Sequence, residues 1–262
     1  MRNKLQILVG LVAIVGLVGV FGGSALANHS WGNYHWARTA NPLTLKLGDN
    51  VTSACDSYLR TASTDWSLSS VLDTSVVASS KSPRTCRPTS GRVEVCDYKY
   101  GSNGWLGVAQ IWVKGDHITQ GTVKVNDTYF NTNAYNTAAW RNLVMCQEVG
   151  HIFGLDHQDE DFYNTALGTC MDYSADPTLN QHPNAHDYEQ LETIYNSHFD
   201  AAKTAKRTRS RFGNFTINFE GGQLTGLGEV VRSLVNGRTS IFERVLGGDE
   251  KLVTHIFWAA TE

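Results

Sequence analysis

Residues 146–157 read Cys-Gln-Glu-Val-Gly-His-Ile-Phe-Gly-Leu-Asp-His, a stretch whose polar side chains can gather around one ion. Gln147 and His151 are four apart, so on a helix they share a face and can converge on one point. Glu148 lies beside that face, within reach of a water held there. Gly154 lets the helix stop and the chain turn back, which returns His157 to the same point. Three donor side chains and a water make a catalytic zinc site with an open position. Downstream, Cys170-Met171-Asp172-Tyr173 follows a loop long enough to pass beneath such a site.

The elements that must position these residues are legible in outline. Pro42 to Leu47 alternates apolar and polar residues, with Leu43, Leu45 and Leu47 on one face, and reads as a strand. Asn50 is expected to cap a helix with Val51, Ala54, Tyr58, Ala62 and Trp66 on its apolar side. Val71 to Ala78 is β-branched and strand-like, Pro83 to Gly91 a loop, and Arg92 to Cys96 a short strand. Trp105 to Val113 is nearly continuous apolar sequence, as for a strand buried on both faces, with Ile118 to Val125 as its neighbour. Thr137 caps a second helix through Trp140, Leu143 and Val144 to about Phe153. A third helix runs from Asp187 to about His198. Strand, helix, strands, helix, long loop and helix make an α+β domain.

The motif residues resemble the metzincin zinc endopeptidases, whose signature is H-E-x-x-H-x-x-G-x-x-H followed by a methionine turn. Glu148, His151, Gly154 and His157 match the signature, and Met171 the turn. His-Ile-Phe-Gly-Leu-Asp-His is most similar to the matrixin branch, whereas the Met171-x-Tyr173 spacing is more like astacins and serralysins. The resemblance covers about residues 35 to 198. It implies a twisted mixed β-sheet with an active-site helix, a methionine turn and a C-terminal helix. It also implies a secreted Zn2+-dependent metalloendopeptidase acting on peptides or proteins. There the metal lowers the pKa of its bound water, Glu148 moves the proton, and Tyr173 binds zinc or supports the oxyanion. Met171 is then a structural floor, and Trp105 to Val113 resembles the edge strand that pairs with extended substrate.

One departure stands out: Gln147 occupies the place of the first histidine, and an amide oxygen is a poorer zinc ligand than imidazole. Three outcomes stay open. Gln147 ligates through Oε1; or zinc is held by His151, His157 and a residue from elsewhere, with Tyr173 or His117 as candidates; or the site is empty. The last corresponds to a catalytically inactive metzincin-like module that binds peptides or proteins. If the helix and the methionine turn meet below the metal, Cys146 and Cys170 can form a disulfide, and Cys86 with Cys96 makes a second pair. Cys55 is left as a buried thiol.

The rest of the 262-residue chain sets the context. Its 22 Lys+Arg against 25 Asp+Glu argue against nucleic-acid binding, and 41% hydrophobic residues with seven Trp can build a core. Residues 1–27 read as a signal peptide: Arg2 and Lys4, an apolar run from Leu5 to Phe21, then Ser24-Ala25-Leu26-Ala27 for cleavage. The expected product is secreted, extracellular, monomeric and free of the membrane, with disulfides permitted. Residues 28–200 are the catalytic domain. A basic linker, 201–211 (AAKTAKRTRSR), leads to a small C-terminal extension, 212–262. The extension holds a helix candidate at Leu227 to Val235 and a hairpin of Thr239 to Leu246 with Leu252 to Ala259 around Gly-Gly-Asp-Glu. No catalytic or ligating residue is expected in it. His35, His182, His186 and His198 read as surface or capping residues. Asp156, Asp159, Glu160 and Asp161 read as a solvated acidic loop without calcium-site spacing.

Overall fold

The alternating Leu43, Leu45 and Leu47 do form a strand, and its apolar face packs into one continuous core. The computed structural model describes residues 28–195, 199, 218–220, 223–225, 228–233 and 239–259. The signal peptide and the basic linker lie outside those residues. In chain order the elements are β1 (His35–Trp36), β2 (Leu43–Asn50), α1 (Asp56–Trp66), β3 (Leu72–Ala78), β4 (Val93–Tyr98), β5 (Trp105–Lys114) and β6 (His117–Asn126). They continue with α2 (Asp127–Phe130), α3 (Ala138–His151), a 3-10 turn at Pro177–Leu179, and α4 (Ala185–Tyr195). Strands β7 (Asn218–Glu220), β8 (Gln223–Thr225), β9 (Glu229–Ser233), β10 (Thr239–Gly247) and β11 (Glu250–Trp258) complete the described chain. None of the described helices is long and apolar enough to cross a membrane.

The α+β class expected from the sequence holds. One mixed sheet runs β3-β2-β4-β6-β5-β11-β10-β9, with the short β1 also pairing β6. Strands β3, β2, β4 and β6 are parallel, and β5, β11, β10 and β9 add antiparallel partners. Helices α1 and α3 pack on one face, with α3 lying over β5, β6 and β11. Thr137 caps α3 as read, its Oγ1 accepting from the Trp140 N–H at 3.2 Å.

Three local expectations are corrected. Asn50 does not cap α1: it ends β2, where its Nδ2 donates to Glu94 Oε2 at 2.9 Å, and the helix starts after Cys55. The side chain has a better partner in the sheet than at the helix end. Of the helix expected at Leu227 to Val235, the described Glu229–Ser233 is instead strand β9, because Val230 and its neighbours pair with β10. A local helical pattern yields to a long-range ladder there. The C-terminal extension does not stand apart, since β11 pairs with β5 along its whole length, from Glu250↔Lys114 to Trp258↔Trp105. The expected substrate edge, Trp105 to Val113, is accordingly an interior strand.

Both disulfides are present: Cys86–Cys96, with Cα atoms 6.0 Å apart, and Cys146–Cys170, at 5.9 Å. Cys55 is a buried free thiol, its pKa raised by burial and by Asp97. The second bridge ties α3 to the segment bearing Met171 and closes a loop of 24 residues. Replacing Cys146 and Cys170 together by serine is expected to cost about 3 kcal/mol, read from denaturant midpoints.

Opposite the helices, the sheet carries a buried polar row. Cross-strand registers align Thr254 with Gln110, Gln110 with Thr122, and Thr122 with Glu94. Lys124, 6% exposed, belongs to the same row of β6. Burial lowers its ammonium from 10.5 to about 8. A lysine depressed in this way contributes stability above its unfolded value of 10.5, which is lost as pH falls through about 8. Lys124→Met is therefore expected to stabilise the chain by roughly 2–3 kcal/mol at pH 7. The gain should shrink as pH rises through the window, as unfolding curves at several pH values will show.

Candidate metal centre

Helix α3 delivers Gln147, Glu148 and His151 in its last two turns, all buried. The helix ends at His151, and Gly154 turns the chain with φ at +97°; a Cβ there would sit 2.1 Å from the Tyr34 carbonyl oxygen. Only glycine fits that turn, which brings His157 back beneath the helix. The His151 and His157 rings lie edge to face with centroids 4.7 Å apart. His151 and His157 thus come together as the spacing predicts.

Each of these imidazoles is aimed by its Nδ1. His151 Nδ1 pairs with the Leu155 carbonyl at 2.9 Å, and His157 Nδ1 with Glu160 Oε1 at 3.3 Å. Such partners fix the tautomer and leave Nε2 to a ligand. The buried Nε2 of His157 and Oε1 of Gln147 have no hydrogen-bond partner among the described residues. Gln147 is oriented from its other end, Nε2 donating to the Cys170 carbonyl at 2.8 Å. The disulfide and this amide bond hold the helix to the turn that carries Met171.

Met171 is fully buried, its N–H donating to Thr169 Oγ1 at 3.0 Å and its carbonyl accepting from Gln158 N at 2.6 Å. Glu148 lies over Gly107 of β5, where a Cβ would come within 2.7 Å of Glu148 Cγ. A larger residue there would push the carboxylate aside. Burial holds the Glu148 carboxyl well above the usual carboxylate range, against a weaker opposing pull from the Ala109 N–H.

The sequence reading missed the third imidazole. His255 of β11, fully buried, stacks near His151 with centroids 3.8 Å apart and near His157 at 4.6 Å. One ligand atom from each of His151, His157 and His255 lies within 4.8 Å of the others. His255 Nδ1 is 3.4 Å from Glu148 Oε2. Tyr173 is also here, its hydroxyl 3.0 Å from His255 Nε2 and donating to the Ile256 carbonyl at 3.2 Å. Trp31 packs over the group, 5.5 Å from the His151 ring. The tail thus brings an imidazole to this centre, where the sequence reading expected no residue of the tail. The one available signal was the alternation of Val253, His255 and Phe257 on a single face of a strand.

His117 does not join this group: it sits at the start of β6 against His35, ring centroids 4.8 Å apart. His35 is buried rather than on the surface, whereas His182 pairs with Asp65 at 2.7 Å and His186 lies 3.9 Å from Glu189. His198 lies outside the described residues. In the acidic loop, Asp156 and Glu160 both flank His157 Nδ1, at 3.7 and 3.3 Å. They are therefore the electrostatic setting of an imidazole rather than a solvated run.

Three imidazoles, an amide oxygen and a buried carboxyl are a donor set suited to zinc, a borderline-soft ion that prefers nitrogen. The fit is supported by the partnerless buried Nε2 of His157 and Oε1 of Gln147.

No protein-family model and no curated protein sequence matches the chain. Among solved structures, one of myroilysin is 12% identical, covering 65% of this chain and 99% of its own with a TM-score of 0.38. A second myroilysin structure is 13% identical over 63% of this chain and 86% of its own, at 0.35. High choriolytic enzyme 1, a hatching-enzyme zinc protease from the medaka fish Oryzias latipes, is 10% identical over 62% and 94%, at 0.33.

Proposed function

We propose that the chain is a secreted, monomeric zinc metalloendopeptidase that hydrolyses bonds in peptides or proteins. The observation that carries this reading is the convergence of the His151 and His157 imidazoles on the helix end that bears Gln147 and the buried Glu148 carboxyl. Zinc would be held by Nε2 of His151 and His157 and by Oε1 of Gln147. When bound, zinc polarises a carbonyl and acidifies water at its open position.

Glu148 accepts the proton of the attacking water and passes it to the departing amine nitrogen. Tyr173 offers its hydroxyl to the developing oxyanion. Gly107 keeps the carboxylate in place, and the Cys146–Cys170 bridge with the Gln147 amide bond fixes the helix over Met171. Two disulfides agree with an oxidising, extracellular setting.

A second reading, a module that binds peptides without cutting them, is favoured by one observation: Gln147, a poorer zinc ligand than imidazole, stands where the signature has its first histidine. The two separate on metal content together with hydrolysis of an unstructured peptide, with native His255 and after its replacement. The peptidase reading expects one zinc per chain and cleavage by at least one of these forms. Zinc-free protein, or zinc-loaded protein that cuts in neither form, would leave the binding module.

A further inference from the structure

We propose that β11 is a resident strand that keeps the metal centre closed, with His255 filling the coordination position that a catalytic zinc site leaves to water. The proposal rests on the zinc reading above and adds its regulation. Three independent features of β11 meet at the centre. Its main chain pairs antiparallel with β5 over the full strand, so β5 offers no edge to another peptide. An extended peptide that binds by strand addition needs that edge.

The second feature is the side chain of His255. It brings a ligand atom within 4.8 Å of those of His151 and His157, on the side where Glu148 Oε2 lies 3.4 Å from its Nδ1. With Gln147 as the further proposed ligand, four protein donors would hold the ion, and four-coordinate protein sites are the closed, structural kind. The third feature is a backbone carbonyl. Tyr173 donates its hydroxyl to Ile256 O at 3.2 Å, the same group that a bound peptide would present to it. Strand, ligand and carbonyl together make β11 an internal stand-in for an extended peptide.

Energetics favour the resident strand. A segment of the same chain competes at an effective concentration of about millimolar, so micromolar peptide is excluded by roughly a hundredfold or more. Zinc and hairpin also hold one another, because His255 reaches the ion only while β11 is docked.

The test uses the full chain with cobalt in place of zinc and acetohydroxamate, a small metal-binding probe that needs a vacant coordination position. Acetohydroxamate is expected to leave the visible spectrum of the wild type unchanged and to shift that of His255→Ala and His255→Phe, each still holding one metal. Both variants lose the side chain that ties β11 to the ion, and are expected to cleave an unstructured peptide that the wild type leaves uncut. A second arm adds Gln110→Cys and Thr254→Cys to His255→Ala. These two residues are registered partners on the far face, their side chains 3.1 Å apart. The oxidised, locked form should be silent and the reduced form active, with reductant-treated wild type still silent. Acetohydroxamate binding by the wild type, loss of metal from both His255 variants, or equal cleavage by locked and reduced forms would each overturn the proposal. A wild type that takes up no metal would instead refute the zinc reading itself.

Discussion

Glu148→Ala is expected to retain one zinc per chain and to lower peptide hydrolysis by roughly 10²–10⁴-fold, compared in the same background with native His255 and with His255→Ala. Glu148 sits next to the donors without being one of the proposed ligands, so its loss removes the proton carrier and leaves the ion. The carboxyl is fully buried, and its Oε1 has no hydrogen-bond partner among the described residues. Truncating such a group relieves a desolvation cost, so the melting temperature should not fall. Retained zinc and retained stability with lost hydrolysis point to a chemical role. Lost zinc or a collapsed fold would assign Glu148 to the structure.

Removal of the metal has the other large effect. A ligand that binds only the folded chain stabilises it by about 4 kcal/mol when present at a thousand times its Kd. Zinc-loaded wild type is expected to lose about that much on chelation, measured by denaturant titration before and after the chelator. His157→Ala should already lack the stabilisation and show no further loss. The physical basis is local: His157 Nε2 and Gln147 Oε1 are buried with no hydrogen-bond partner among the described residues, a cost that a ligand offsets.

How much of this was legible follows from distance along the chain. Gln147, Glu148, His151, Gly154 and His157 lie within one helix and its turn, where spacing translates directly into geometry. Thr137 and Gly154 mark the ends of that unit by chemistry that acts within a few residues. The Cys146–Cys170 bridge was legible because its cysteines neighbour the helix and turn that the motif places, and the Cys86–Cys96 bridge because that pair brackets a Pro/Gly-containing loop. His255 was not, because it enters the centre only through the pairing of β11 with β5, which sets it opposite Ala109. Nothing near His255 in sequence specifies that register; it depends on the small residues Gly107 and Ala109, far upstream, leaving room beneath α3. The same cause makes Glu229–Ser233, inside the segment read as a helix, strand β9, where a ladder to β10 outweighs a local helical pattern. Asn50 shows the smaller version, a good capping residue drawn into the sheet by Glu94.

The measurement that bears most directly on the central claim is zinc stoichiometry by elemental analysis. Purified wild type and the double variant His151→Ala/His157→Ala are equilibrated with zinc and desalted side by side. The account predicts one zinc per chain in the wild type and none in the double variant. A zinc-free wild type, or a folded double variant that still holds zinc, would contradict it.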